Sequence, residues 1–296
     1  MIGVKESQAQ VGVGVSVNIG IAPPALPVYV QPPCPVEGYL WTPGYWAYGA
    51  YGYYWVPGVW IHPPRLGFLW TPGYWGFERG TYFWHGGYWG PHIGFYGGVN
   101  YGFGYNGAGF WGGRWEGNSF RYNTAACNVN NNAIHNTYVD KTVLNNNYAG
   151  NRASFNGQGG VSAQPSPAEQ SAMNEQHVQS TSEQQAHQQS ASTNKNQLAS
   201  ANGGHPTTMA RSSVNGPRYN ASGHSLSSSR PMSNAGANNG THANNGSQQR
   251  SSSQSAGRVQ QQRSNQNRGG GRQIHSSNRQ SGTSYPQGHS GGNRAH

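Results

Sequence analysis

A six-residue pattern, W-x-[PG]-G-x-W, recurs four times between residues 41 and 89 and constrains the fold more than any other feature of the chain. The copies are "WTPGYW" at 41–46, "WVPGVW" at 55–60, "WTPGYW" at 70–75 and "WHGGYW" at 84–89, with starts 14, 15 and 14 residues apart. A weaker copy, "FWGGRW", covers 110–115. Repetition at a fixed period means that one small structural unit is used again and again.

Pro-Gly suits the centre of a type II turn, because Pro presets φ and Gly accepts positive φ. The pattern therefore predicts turns at Pro43-Gly44, Pro57-Gly58, Pro72-Gly73 and Gly86-Gly87, with Trp41 and Trp46 as cross-strand neighbours. Second breakers follow at "GAYG" (49–52), "HPPRLG" (62–67) and "ERG" (78–80). Each repeat then supplies two strands of ~5 residues, and 38–90 reads as a tight antiparallel meander. Type II turns twist against paired strands, so some of these breaks are expected to be corners between sheets instead. Strands this short also fall below the ~9–11 residues of an outer-membrane barrel strand.

The rest of the chain divides by composition. Residues 1–37 hold an alternation of Val and Ile from Val11 to Ile21, the period of a half-buried strand. A Pro-rich arm that cannot join a central ladder follows. The aromatic module spans 38–116 and an Asn-rich β extension 117–160. Residues 161–204 form a capped polar helix: Ser166, Pro167 and Glu169 make a capping box and Gly203 a stop. Residues 205–296 are Ser/Asn/Gly/Gln/Arg low complexity, read as a disordered tail. The fold class is thus mainly β, a short-stranded aromatic meander followed by one solvated helix and a long tail.

Charge follows the same division. Residues 1–183 carry all eight acids against seven Lys and Arg, whereas 184–296 carry Lys195 and ten Arg with no acid. The tail thereby becomes a candidate for polyanion contact, through Arg258, Arg263, Arg268, Arg272 and Arg279. No apolar run is long enough for a transmembrane helix. The start "MIGVKESQAQ" lacks an apolar signal core, yet "SQAQ" resembles a cleavage region with its upstream part missing. An ordinary cytoplasmic start is the other reading. Cys34 and Cys127 are either a disulfide, worth roughly 4 kcal/mol in the chain-entropy model, or two unrelated thiols.

The four copies, with "IAPPALPVY", "PPCP", "GYLWTPGYWAY", "GGYWGPHIGFYGGVNYGFGY" and the stretch from "HNTYV" to "SFNG", resemble the WXXGXW (also written YXWGXW) repeat family of bacterial proteins. The likeness covers roughly residues 11–160. Members usually begin with a secretion signal, so the resemblance implies an exported or envelope location. It implies no activity, no cofactor and no catalytic residue.

Chemistry is sparse. Residues 39–115 hold 28 Trp, Tyr and Phe, so Trp41, Trp46, Trp55, Trp60, Trp70, Trp75, Trp84, Trp89, Trp111 and Trp115 are either core or a stacking platform for sugar rings. The two-carboxylate arrangement of a glycosidase finds one acid within residues 38–115, Glu78, beside Arg79, with Glu37 and Glu116 flanking. His85 with His92, and Glu183 with His187, fall short of a metal signature. The chain is therefore expected to be non-enzymatic, without metal or cofactor. Its expected role is structural or adhesive, with weak multivalent contact to a cell-wall or extracellular glycan. The alternative is polyanion binding (lipopolysaccharide, acidic polysaccharide or nucleic acid) through the Arg-rich tail. Exposed sheet edges would allow self-association.

Overall fold

The computed structural model describes residues 19–142 and 152–226. Arg258, Arg263, Arg268, Arg272, Arg279 and most of the Val11–Ile21 alternation lie outside the described residues. Ile19, at the end of that alternation, makes an antiparallel bridge to Tyr82.

The chain is mainly β, built from small sheets. Strands β1 (Leu40–Thr42) and β2 (Tyr45–Gly49) run into β3 (Gly52–Val56) and β4 (Gly58–Ile61). β1 pairs with β4 and β2 with β3, in one register that carries through the Pro-Gly breaks: Trp41 faces Trp60 and Trp46 faces Trp55. The same plan recurs in β5 (Leu69–Thr71), β6 (Tyr74–Glu78), β7 (Thr81–His85) and β8 (Tyr88–Gly90), where Trp70 faces Trp89 and Trp75 faces Trp84.

This corrects the reading of the repeat. Two copies make one bent hairpin, and the reversals lie at Ala50-Tyr51 and Arg79-Gly80. The breaks at Pro43-Gly44, Pro57-Gly58, Pro72-Gly73 and Gly86-Gly87 are bends midway along each hairpin, where the chain turns from one sheet to another. None of those glycines has the positive φ of a type II turn. Trp41 and Trp46 are consequently not neighbours across a turn, since each pairs with the other copy.

Further pairs follow in β9 (Asn100–Gly102) with β10 (Tyr105–Asn106), and in β11 (Gly113–Glu116) with β12 (Ser119–Asn123). The weak fifth copy contributes β11, where Trp115 faces Phe120. Later segments add to earlier strands in parallel: β13 (Thr137–Tyr138) on β12, and β14 (Phe155–Asn156) on β6.

Between 161 and 204 the structure has three short α-helices and a 3-10 turn (Lys195–Gln197) where the sequence predicts one helix. Helix α1 (Pro167–Met173) begins with the Ser166/Glu169 capping box, and Gly203 in the left-handed region closes the last helix. Between them lie β15 (Val178–Gln179), α2 (Ser182–Ser192) with its own box at Thr181 and Gln184, and α3 (Ala199–Asn202). Helix α2 is not solvated all round, because His187 and Ala191 are buried beneath it. Residues 205–226, read from the sequence as part of the disordered tail, supply β16 (Ala210–Arg211), β17 (Arg218–Tyr219) and β18 (Ser225–Leu226), which extend the β1–β4 sheet. No helix among the described residues is long and apolar enough to cross a membrane.

Candidate functional site

Trp41, Trp46, Trp55, Trp60, Trp75 and Trp89 are at most 2% exposed and Trp70 is 8% exposed. Trp84 and Trp115 are half-buried, and Trp111 is the exposed member at 39%. The choice between core and flat platform falls to core for most of the array. The four facing pairs have ring centroids 5.2–5.3 Å apart at inclined angles, the tilted geometry that aromatic quadrupoles favour.

The motif glycine explains why the pattern is hexameric. A Cβ on Gly44 would lie 2.3 Å from Trp55, and one on Gly58 would lie 2.4 Å from Trp41. In the second hairpin, Gly73 stands in that relation to Trp84, and Gly87 to Trp70, each at 2.5 Å. The first Trp of each copy is thus seated on the glycine of its partner copy, reciprocally. Gly86, at the position where the other copies have Pro, has open space around it.

Burying indoles also requires acceptors for their N–H groups. Trp46 Nε1 donates to the carbonyl of Ala25 at 3.1 Å and Trp60 Nε1 to that of Pro32 at 2.9 Å, both in the Pro-rich arm. An extended Pro-rich segment has free carbonyls because it makes no internal hydrogen bonds. Trp55 donates to the Met209 carbonyl, Trp75 to the Trp46 carbonyl and Trp89 to Gln184 Oε1. Trp41 Nε1 is buried without a partner.

The bends interrupt the ladder and free backbone groups, which other segments take up. The Gly44 N–H donates to the Tyr29 hydroxyl, and Tyr101 donates to the Gly73 carbonyl at 2.6 Å. The buried Tyr105 hydroxyl lies 2.8 Å from the Trp70 carbonyl and 3.4 Å from that of Trp41, tying equivalent points of the two hairpins together. His187 on α2 lies with Nε2 2.8 Å from the Pro57 carbonyl. A carbonyl only accepts, so Nε2 carries the proton. Burial lowers the His187 pKa to about 4, so the ring is neutral at pH 7.

Where the bends of the two hairpins meet, a partly enclosed cleft of about 430 Å³ opens. Tyr45 and Tyr48 come from one hairpin and Trp84 from the other, and Gln179, Gln184 and Gln188 close the side formed by β15 and α2. The Tyr45 and Trp84 rings are stacked, with centroids 5.1 Å apart, and Tyr45 donates to Gln188 Oε1. Among the described residues, no Asp, Glu, Lys or Arg lines the cleft. Sequence reasoning does not find these glutamines. The signal that points to them is the Thr181–Gln184 capping box, which starts the helix carrying two of them.

The remaining candidates are placed elsewhere. Cys34 and Cys127 are buried free thiols, so of the two readings open from the sequence the structure has the unbridged one. Their neighbourhoods do meet, since the Cys34 N–H donates to the Asn128 carbonyl. His85 stacks on Tyr74, and His92 faces Glu175 at 2.9 Å, so the two histidines are engaged separately.

Residues 38–60 match the model of the WXXGXW repeat in two copies. The first two copies are WXXGXW repeats. The matched segment spans the first bent hairpin almost entirely, so two WXXGXW copies coincide with one folding unit. The third and fourth copies lie beyond the match and fold the same way. No curated protein and no solved structure matches the chain.

Proposed function

We propose that this is a non-enzymatic structural protein, exported to the bacterial envelope or surface, that makes weak contact with glycan through the cleft between its two WXXGXW hairpins. The observation that carries the reading is the cleft itself. Half-buried Tyr45, Tyr48 and Trp84 face a row of glutamine amides there, while most other module tryptophans are consumed as core. Aromatic faces with a few placed polar groups are the usual lining of small-ligand pockets. The repeat supplies scaffold, and the place where its bends converge supplies the contact.

The competing role for the Arg-rich tail is separated by truncation. Deleting 227–296 removes most of the Arg residues and leaves β16 to β18 in place. Glycan binding measured by tryptophan fluorescence should survive that deletion and change little with salt. Binding that disappears with the tail, or that falls steeply as salt rises, would instead support the polyanion role.

A further inference from the structure

The lining of the cleft says more than that a ring stacks there. Its histidine and two of its tyrosines are held uncharged. The His187 Nε2–H is committed to the Pro57 carbonyl, and burial raises the Tyr45 and Tyr101 pKa values above the ordinary tyrosine range. Arg211, the cation that helps depress His187, does not line the cleft. A charged group entering this space would leave water without meeting a counter-charge, which is strongly unfavourable.

The polar groups that are present suit hydroxyls. A glutamine amide offers a donor pair and an acceptor from one planar end. Gln188 already uses Oε1 for Tyr45 and one N–H for Tyr54, and Gln184 uses Oε1 for Trp89 and for the Thr181 N–H. Both are thereby fixed in orientation with an N–H remaining. Gln179 is exposed at the rim. The same cleft is lined by the rings of Tyr45, Tyr48 and Trp84. A pyranose has one face of C–H groups and a rim of hydroxyls, so it presents an apolar side to the rings and a polar side to the amides.

We propose that the cleft selects uncharged pyranose units of a glycan chain and rejects uronic-acid units. This rests on the reading of the cleft as a glycan contact. The volume of about 430 Å³ lies within the range of pockets that enclose small organic ligands.

The test titrates the full chain with neutral hexasaccharides (β-1,4-glucan, β-1,3-glucan and N-acetylglucosamine oligomers) and with oligogalacturonate and oligomannuronate, followed by calorimetry. At least one neutral series should bind, and the acidic ones should not. Tyr48→Ala should weaken binding about tenfold. Gln179→Ala, at an exposed rim position, should weaken it about fivefold, as for a single lost hydrogen bond. Near-UV circular dichroism must match the parent for both variants. Acidic oligomers that bind more tightly, with the same sensitivity to Tyr48→Ala, would overturn the selectivity and leave glycan contact standing. No binding by any sugar would overturn both. A proline-rich peptide that binds while the sugars do not would also overturn both, since such peptides dock in aromatic-lined grooves.

Discussion

The indole of Trp55 lies directly over the α-carbon of Gly44, where a Cβ would come within 2.3 Å of Cζ2 and 2.9 Å of the Gly58 backbone nitrogen. Neither obstacle is the free end of a flexible chain, so the hairpin must open to admit a methyl group. Gly44→Ala, Gly58→Ala, Gly73→Ala and Gly87→Ala should each destabilise by about 2–3 kcal/mol, the range of an overpacked core. Gly86→Ala meets nothing and should stay within about 0.5 kcal/mol. Urea midpoints on the five variants check this. Equal losses at Gly86 and Gly87 would mean that the seat of the indole is not what the motif glycine serves.

Arg79 sits at φ 51° beside Gly80 at φ 81°, the double left-handed signature of a type I′ reversal. Arginine is poorly suited to that region, whereas Asn-Gly is the preferred pair. Arg79→Asn should therefore stabilise the second hairpin by about 0.5–1 kcal/mol, seen as a raised thermal midpoint. A lowered midpoint would show that the side chain of Arg79 contributes more than its backbone strain removes.

The four copies, the mainly β character and the Ser166 cap are legible in the sequence because each has a local cause. The pairing is not, because W-x-x-G-x-W reads equally well as Trp41 facing Trp46 or Trp41 facing Trp60. The choice is made by a tertiary fact: four indoles can be seated on four glycines only if the copies cross. Thr181 and Gln184 carry the same capping signature as Ser166 and Glu169. The polar stretch between the two boxes has too little periodicity to separate one helix from several. Strands of two residues, such as Ala210–Arg211, leave no period at all. The cleft is invisible for the simplest reason, that Tyr45 and Gln188 meet only when the chain has folded back on itself.

Burial pushes the Cys34 and Cys127 thiols up to about 12. At pH 8 only about one thiol in ten thousand is then thiolate, the reactive form. A chromogenic disulfide reagent should leave the folded protein unlabelled over hours and titrate two thiols once urea is added. Fast labelling of the folded protein would contradict the burial. A sample with no thiol even when unfolded would mean that Cys34 and Cys127 pair after all.

His187 makes the fold sensitive to acid. Its folded pKa, about 4, lies below the ordinary histidine value of 6.5, chiefly because burial disfavours the charged ring. Above pH 6.5 neither folded nor unfolded state holds the proton, and the stability is undiminished. Between 6.5 and about 4 the unfolded state binds a proton that the folded state refuses, so stability falls as pH falls. Below about 4 both states are protonated and this loss stops growing. The full loss is about 3 kcal/mol, with about 2 kcal/mol of it reached by pH 5. His85, also lowered by burial, adds a loss of the same sign. Glutamine at 187 has an N–H for the Pro57 carbonyl and does not titrate. His187→Gln should therefore reduce the stability difference between pH 7 and pH 5, read from urea midpoints, by about 2 kcal/mol, leaving the part due to His85. If the variant keeps the whole pH dependence of the parent, His187 is not the group that docks α2 against the Pro57 bend in its neutral form.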